Sequence, residues 1–203
     1  MEQTKSPPLL RLAIFNGLYL LISIVAVSIL RNKEFLFYIV TMLMLIGAVM
    51  MIHRRMPLSS AQLWALSLWG LLHMMGGLVP VPESWPINGE QRVLYSWWLI
   101  PQYLKYDQVI HAYGFGVTTW LCWQGMRHHI GTQNTCDPTI GKLVLCAAGG
   151  MGFGALNEVI EFIAVLTIPN TNVGGYVNTG FDLVANLVGC VIAAALIRRK
   201  ILA

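Results

Sequence analysis

The chain reads as an all-α protein, a polytopic membrane helix bundle of about six transmembrane helices. Three observations predict this. The 203 residues are 56% hydrophobic and only 11% charged, outside the balance of an ordinary soluble domain. Apolar runs matching the roughly 30 Å hydrocarbon span of a bilayer recur from end to end. The breaks between them carry turn and helix-ending residues.

Taken in order, the apolar runs cover residues 11 to 30, 35 to 52, 60 to 79, 107 to 126, 142 to 166 and 179 to 197. The first is longer than a signal-peptide core, and its end at Val27-Ser28-Ile29-Leu30 is a poor cleavage site, so it reads as a retained helix. Arg31-Asn32-Lys33-Glu34 separates the first two runs, His53-Arg54-Arg55-Met56-Pro57 the next two, and Pro80-Val81-Pro82 ends the third. Arg127-His128-His129 reads as a solvated turn after the fourth, and Pro169-Asn170-Thr171-Asn172-Val173-Gly174-Gly175 separates the last two. Gly149-Gly150-Met151-Gly152-Phe153-Gly154 reads as a small-residue packing surface rather than a phosphate loop. Residues 1–203 form a single transmembrane domain in this scheme, with 80–106 an extracytoplasmic loop. Within that loop Val93 to Ile100 is apolar but too short to span; it reads as an interfacial segment anchored by tryptophans, with a lid over a site beneath as the sharper alternative.

Loop charge sets the orientation. With both termini cytoplasmic, Lys5, Arg11, Arg54, Arg55, Arg127, Lys142, Arg198, Arg199 and Lys200 lie inside, against Arg31, Lys33, Arg92 and Lys105 outside. The net charge of +4 is thus a matter of topology, which argues against a nucleic-acid partner and for membrane lipids. Cys122, Cys136, Cys146 and Cys190 lack C-x-x-C spacing and read as reduced structural thiols.

Ionisable side chains inside spans are costly, so their positions are informative. Helix four opens with Asp107-x-x-x-His111, helix five contains Asn157-Glu158-x-x-Glu161, helix six contains Asp182-x-x-x-Asn186, and helix three carries His73. Residues three or four apart share a helical face. At about 1.5 Å per residue, Glu158 sits on the order of 12 Å below the outer end of its helix, and His73, His111 and Asn186 sit at roughly 6 to 10 Å. One level, near the extracytoplasmic face, is common to four helices. Up to four negative charges gather there, with only His73, His111 and Lys105 as candidate nearby bases, so either some carboxylates hold protons or a cation is bound. Carboxylates with imidazoles suit zinc, manganese or iron.

In the enzyme reading, Glu158, Glu161, Asp182 and His111 bind the cation or activate water, Asp107 completes the ligand set and orients His111, and His73 donates a proton or adds a ligand. Asn157 and Asn186 hold the ligands from behind. The substrate is then a lipid or lipid-linked envelope molecule, and the reaction a hydrolysis or group transfer. Two other classes stay open: a proton- or cation-coupled transporter, and an envelope-assembly or interaction protein whose polar cluster only fixes packing. The residue inventory is similar to that of di-metal carboxylate bundles, without their Glu-x-x-His spacing.

Tyr106-Asp107-x-x-x-His111, Asn157-Glu158-x-x-Glu161 and the run Gly175 to Asn186 together resemble the YjdF-type bacterial inner-membrane proteins. More distantly, the same series followed by Gly189 is similar to VanZ-like membrane proteins, departing from them at Glu161, where glutamine is common. The resemblance implies a multi-pass protein of the bacterial inner membrane and groups Asp107, His111, Glu158, Glu161, Asp182 and Asn186. It implies no particular reaction.

Overall fold

The computed structural model describes residues 9–31, 33–130, 136–169 and 171–202. Lys5, Asn32 and Asn170, named above, lie outside them. Six α-helices make up the described bundle: α1 (Leu9–Leu30), α2 (Lys33–Arg55), α3 (Ser60–Leu78), α4 (Tyr106–Ile130), α5 (Ile140–Thr167) and α6 (Tyr176–Arg198). Each falls on an expected apolar run. α4 is longer than expected at its C-terminal end, because Arg127, His128 and His129 form its last turn instead of a separate turn. Basic side chains there face the negative end of the helix dipole, which favours one more turn. α3 starts sharply: Ser59 accepts from the Gln62 amide while the Gln62 side chain accepts from the Ser59 amide.

Four helices, α1, α2, α5 and α6, are long and apolar enough to cross a membrane. Their outward side chains, such as Leu10, Ile22, Met44, Leu145, Leu166 and Val184, are exposed on the isolated chain, as expected where lipid is the solvent. α3 and α4 are the more polar members and stand between the others, with α3 packed on α1 and on α4. α4 packs most closely on α6 and then on α5. Pairings fix directions. His111 meets Asn186 and the Phe115 carbonyl meets Cys190, so α4 and α6 run the same way. Gly150 lies on Thr119 while Glu158 lies by His111, so α5 runs against them.

Backbone contact makes this trio tight. A Cβ on Gly189 would lie 1.9 Å from the Ala112 carbonyl oxygen, and one on Gly116 would lie 3.1 Å from the Gly189 carbonyl oxygen. The glycine-rich run of α5 serves the same purpose: Gly149 lies on Cys122, Gly150 on Thr119 and Cys190, and Gly154 on Asn186, whereas Gly152 faces open space. All four cysteines are free.

Between α3 and α4 the chain folds into a cap instead of a helix. Val93 to Ile100 forms a 3-10 turn (Leu94–Ser96) and a short strand β1 (Trp98–Ile100), which pairs antiparallel with β2 (Leu104–Lys105). Bridges at Pro80 with Val93 and at Ile87 with Trp97 close the loop on itself, and Trp85 stacks on Trp97 at 4.2 Å. The Arg92 guanidinium donates to the carbonyls of Pro82, Glu83 and Trp85 at 2.6, 2.7 and 3.1 Å. These charge-assisted bonds are each worth about 1.5–3 kcal/mol where water is excluded and less at this exposed position. Arg92→Ala is expected to loosen the cap without unfolding the bundle, read as faster limited proteolysis between residues 82 and 92 at an unchanged helical signal.

The cap is fastened at two points, and the second is itself anchored to α2. The Tyr95 ring fills the notch left by Gly76, where any Cβ would lie within 2.5 Å of it. Ser96 Oγ accepts from Asn172 Nδ2 at 3.3 Å. The buried Glu34 carboxylate accepts the Asn172 amide at 2.8 Å, tying the start of α2 to the stretch before α6.

Candidate metal centre

The α4, α5 and α6 backbones approach so closely that their polar stripes meet. From α4 come Asp107 and His111, one turn apart; from α5 come Asn157, Glu158 and Glu161; from α6 come Asn178, Asp182 and Asn186, at successive intervals of four. His111 is the hub. Its Nδ1 lies 3.1 Å from Asn186 Oδ1 and 3.6 Å from Glu158 Oε1, and its Nε2 lies 3.6 Å from Asp107 Oδ1 and 3.9 Å from Glu161 Oε1. With Nδ1 against the Asn186 oxygen, Nε2 is the ring nitrogen that faces Asp107 and Glu161.

Two overlapping sets of ligand atoms each lie within 4.8 Å of one another: Asp107, His111 and Asp182, and His111, Glu158 and Glu161. Those separations suit donors around one ion that draws them in by a few tenths of an ångström to an ångström. Asn157 Nδ2 donates to Glu161 Oε1 at 2.8 Å, holding that carboxylate from behind. Asp182 and Asn186 are completely buried, and the Glu158 side chain is 9% exposed. Both Glu158 oxygens, Asp182 Oδ1 and Asn186 Nδ2 nevertheless lack a hydrogen-bond partner among the described residues. Buried polar atoms are rarely left so, and a cluster of them marks a place where another group belongs.

His73 stands apart. Its ring stacks on Trp69 at 5.4 Å and meets Tyr38 and Tyr95 edge-on, and its Nδ1 lies 2.5 Å from the Tyr95 hydroxyl. Burial holds the Tyr95 phenol well above its ordinary range, with Asp107 and Glu161 adding to the effect, so it stays protonated and donates to His73. His73 is in neither ligand set. It shares a cavity with the cluster instead.

That cavity, about 620 Å³, has Asp107, Glu161 and Lys105 in its floor, His73 and Tyr95 in its wall, and Asn88 to Gln91 of the cap above. His111, Glu158, Asp182 and Asn186 are not among its lining residues.

Three participants stood outside the expected ligand set, although Lys105 had entered the charge balance as a nearby base. Lys105, counted above as a loop charge, is 6% exposed; its ammonium lies 3.7 Å from Asp107 Oδ2 and hydrogen-bonds to Asn178 Oδ1. Asn178 donates in turn to Asp182 Oδ2 at 2.5 Å and to Asp107 Oδ2 at 3.4 Å. Its position four residues before Asp182 was the available signal. Tyr95 had none, because its place depends on the cap.

No curated protein and no solved structure matches the chain. A family model does match, over residues 10–201, nearly the whole length described above. The chain therefore belongs to the family described as predicted membrane protein (DUF2238).

Proposed function

We propose that the protein is a metal-assisted membrane enzyme, a hydrolase or transferase acting on a lipid or lipid-linked envelope molecule, with Asp107, His111, Glu158, Glu161 and Asp182 as the metal-binding set. The observation that carries this reading is the convergence of carboxylate and imidazole atoms from three helices around buried oxygens that have no other partner. A divalent ion bound there would polarise an ester or phosphoryl oxygen and make water acidic enough to attack. The chain's own groups supply the rest. Asn186 and Asp107 orient His111, Asn157 orients Glu161, Glu161 at the cavity floor accepts a proton from the incoming nucleophile, and His73 on the wall, oriented by Tyr95, is the proton donor to the leaving group.

The membrane as substrate source is supported by a second cavity of about 480 Å³, walled by apolar Leu30, Leu78, Val93 and Ile168, which shares Glu34 and Gln91 with the first. An amphiphile could rest its chain in one and its head in the other. The YjdF-type and VanZ-like resemblance and the loop charges support the bacterial inner membrane, with both termini cytoplasmic and the cap on the outer side.

The test is metal content. Purified wild type is expected to carry zinc, manganese or iron in a fixed ratio, and Glu161→Ala to lose it. Metal-free wild type that drives proton-dependent uptake in liposomes would mark a transporter instead. An unchanged cellular phenotype for Glu158→Gln with Glu161→Gln would leave the cluster a packing device.

A further inference from the structure

The two ligand sets share His111, so the cluster has room, on paper, for two cations side by side. Their surroundings differ. On the aspartate side, Lys105 lies against Asp107 and hydrogen-bonds to Asn178, and Asn178 donates to both Asp107 Oδ2 and Asp182 Oδ2. A positive charge and an amide thus already serve two of the four carboxylate oxygens that would face an ion there, Asp107 Oδ2 and Asp182 Oδ2. Of the other two, Asp182 Oδ1 has no hydrogen-bond partner among the described residues and Asp107 Oδ1 lies 3.6 Å from His111 Nε2.

On the glutamate side, neither Glu158 oxygen accepts a well-formed hydrogen bond, although the Asn157 and Thr179 side chains lie beside the carboxylate, and among the described residues no lysine or arginine pairs with Glu158 or Glu161. The Glu158 side chain is more than nine-tenths buried and faces the cluster through His111. Charge counting runs the same way. Asp107, Glu158, Glu161 and Asp182 bring four negative charges when ionised, Lys105 removes one, and one divalent ion removes two, leaving a single surplus negative charge beside a cavity open to water. A second divalent ion would have to sit against the Lys105 ammonium, and that repulsion is strong where the dielectric is low.

We infer that the cluster holds one divalent cation, bound by His111, Glu158 and Glu161, and that the Lys105 ammonium takes the place a second metal would occupy between Asp107 and Asp182. This rests on the metal-binding reading above and narrows its ligand set to His111, Glu158 and Glu161, leaving Asp107 and Asp182 to the Lys105 ammonium. Lys105 can fill that place because β2 ends at it: the strand turns directly into α4, carrying the side chain inward over the first turn, and the Lys105 amide donates to Gln108 Oε1 at 2.9 Å.

The experiment is a manganese titration of the full-length protein in detergent, with bound ion counted by equilibrium dialysis and its environment read by electron paramagnetic resonance. Wild type is expected to bind one Mn²⁺ per chain with an isolated-ion spectrum. Glu158→Gln should weaken binding by about tenfold to a hundredfold, the range seen when a ligand's environment is broken, while Asp182→Asn should stay within about threefold of wild type. Lys105→Met should take up a second Mn²⁺ and show a spin-coupled spectrum. Adding Asp107→Asn to that variant should return it to one ion, and Lys105→Arg, which keeps the charge, should hold one ion throughout; these two decide the matter if Lys105→Met does not fold. Two ions on wild type or on Lys105→Arg, or binding lost in Asp182→Asn and kept in Glu158→Gln, would overturn the inference while leaving a metal site in place. No ion on wild type would overturn the metal reading as well.

Discussion

Gly189→Ala is expected to damage this protein more than any other addition of one methyl group in its helices. The new carbon would stand 1.9 Å from a backbone carbonyl oxygen of α4, and no rotamer can move that obstacle. Helices α4 and α6 must separate, and the space between them is where His111 meets Asn186, less than one turn away along α6. Overpacking a well-packed contact costs about 1–3 kcal/mol, and more when backbone is the obstacle. The expected result is a large fall in the thermal midpoint of the detergent-solubilised protein, with metal binding lost in whatever remains folded. Gly152→Ala is the matched control. Nothing lies within 4 Å of its added carbon, and alanine is better than glycine in a helix by about 1 kcal/mol, so this variant should be as stable as wild type or slightly more so. Equal damage from both changes would show that the α4–α6 contact is not what holds the trio together.

The second large effect belongs to His111. Its ring lies within 4 Å of Asp107, Glu158 and Glu161 and hydrogen-bonds with Asn186, so His111→Ala removes one side chain and strips four others of their common neighbour. Breaking a buried charged network by removing one member costs about 3–5 kcal/mol. Loss of stability alone would fit a packing role as well as a functional one. The separating measurement is the response to metal. A ligand at one hundred times its dissociation constant stabilises the folded state by about 2.7 kcal/mol, so the melting midpoint of wild type should rise when Mn²⁺ is added and fall when it is chelated, while His111→Ala should not respond. A variant that is stabilised by metal as much as wild type would remove His111 from the ligand set.

Much of the architecture is legible in the residue order, because bilayer thickness imposes a length on each helix and lipid forbids unpaired backbone, so six apolar runs become six helices with few alternatives. The cluster is legible for a related reason. Polar side chains at Asp107, His111, Glu158, Glu161, Asp182 and Asn186 are expensive in apolar helices unless they meet. Lys105 was only half legible: its position just before helix four made it a candidate base for the cluster, but its burial against Asp107 and Asn178 depends on β2 turning it inward. That helices three to six pack together follows from their shared polar level, but which pair approaches most closely was hidden. The α4–α6 pairing depends on Gly189 and Gly116 lying opposite each other, a matter of rotation about two helix axes that no single-helix pattern records. The cap was the least legible part, because its order comes from backbone bridges such as Pro80 with Val93 and Ile87 with Trp97 and from the three carbonyls gathered by Arg92. Such pairings leave no periodic trace.

Asn172 is a rivet through two plates. One of its groups is held by the first turn of α2 and another by Ser96, while six residues further on its own strand of chain reaches Asn178, the partner of Lys105. The roof over the cavity and the threshold of α6 are therefore anchored to one short stretch of chain, residues 172 to 178, which joins the Ser96 and Glu34 contacts at one end to the Lys105 contact at the other.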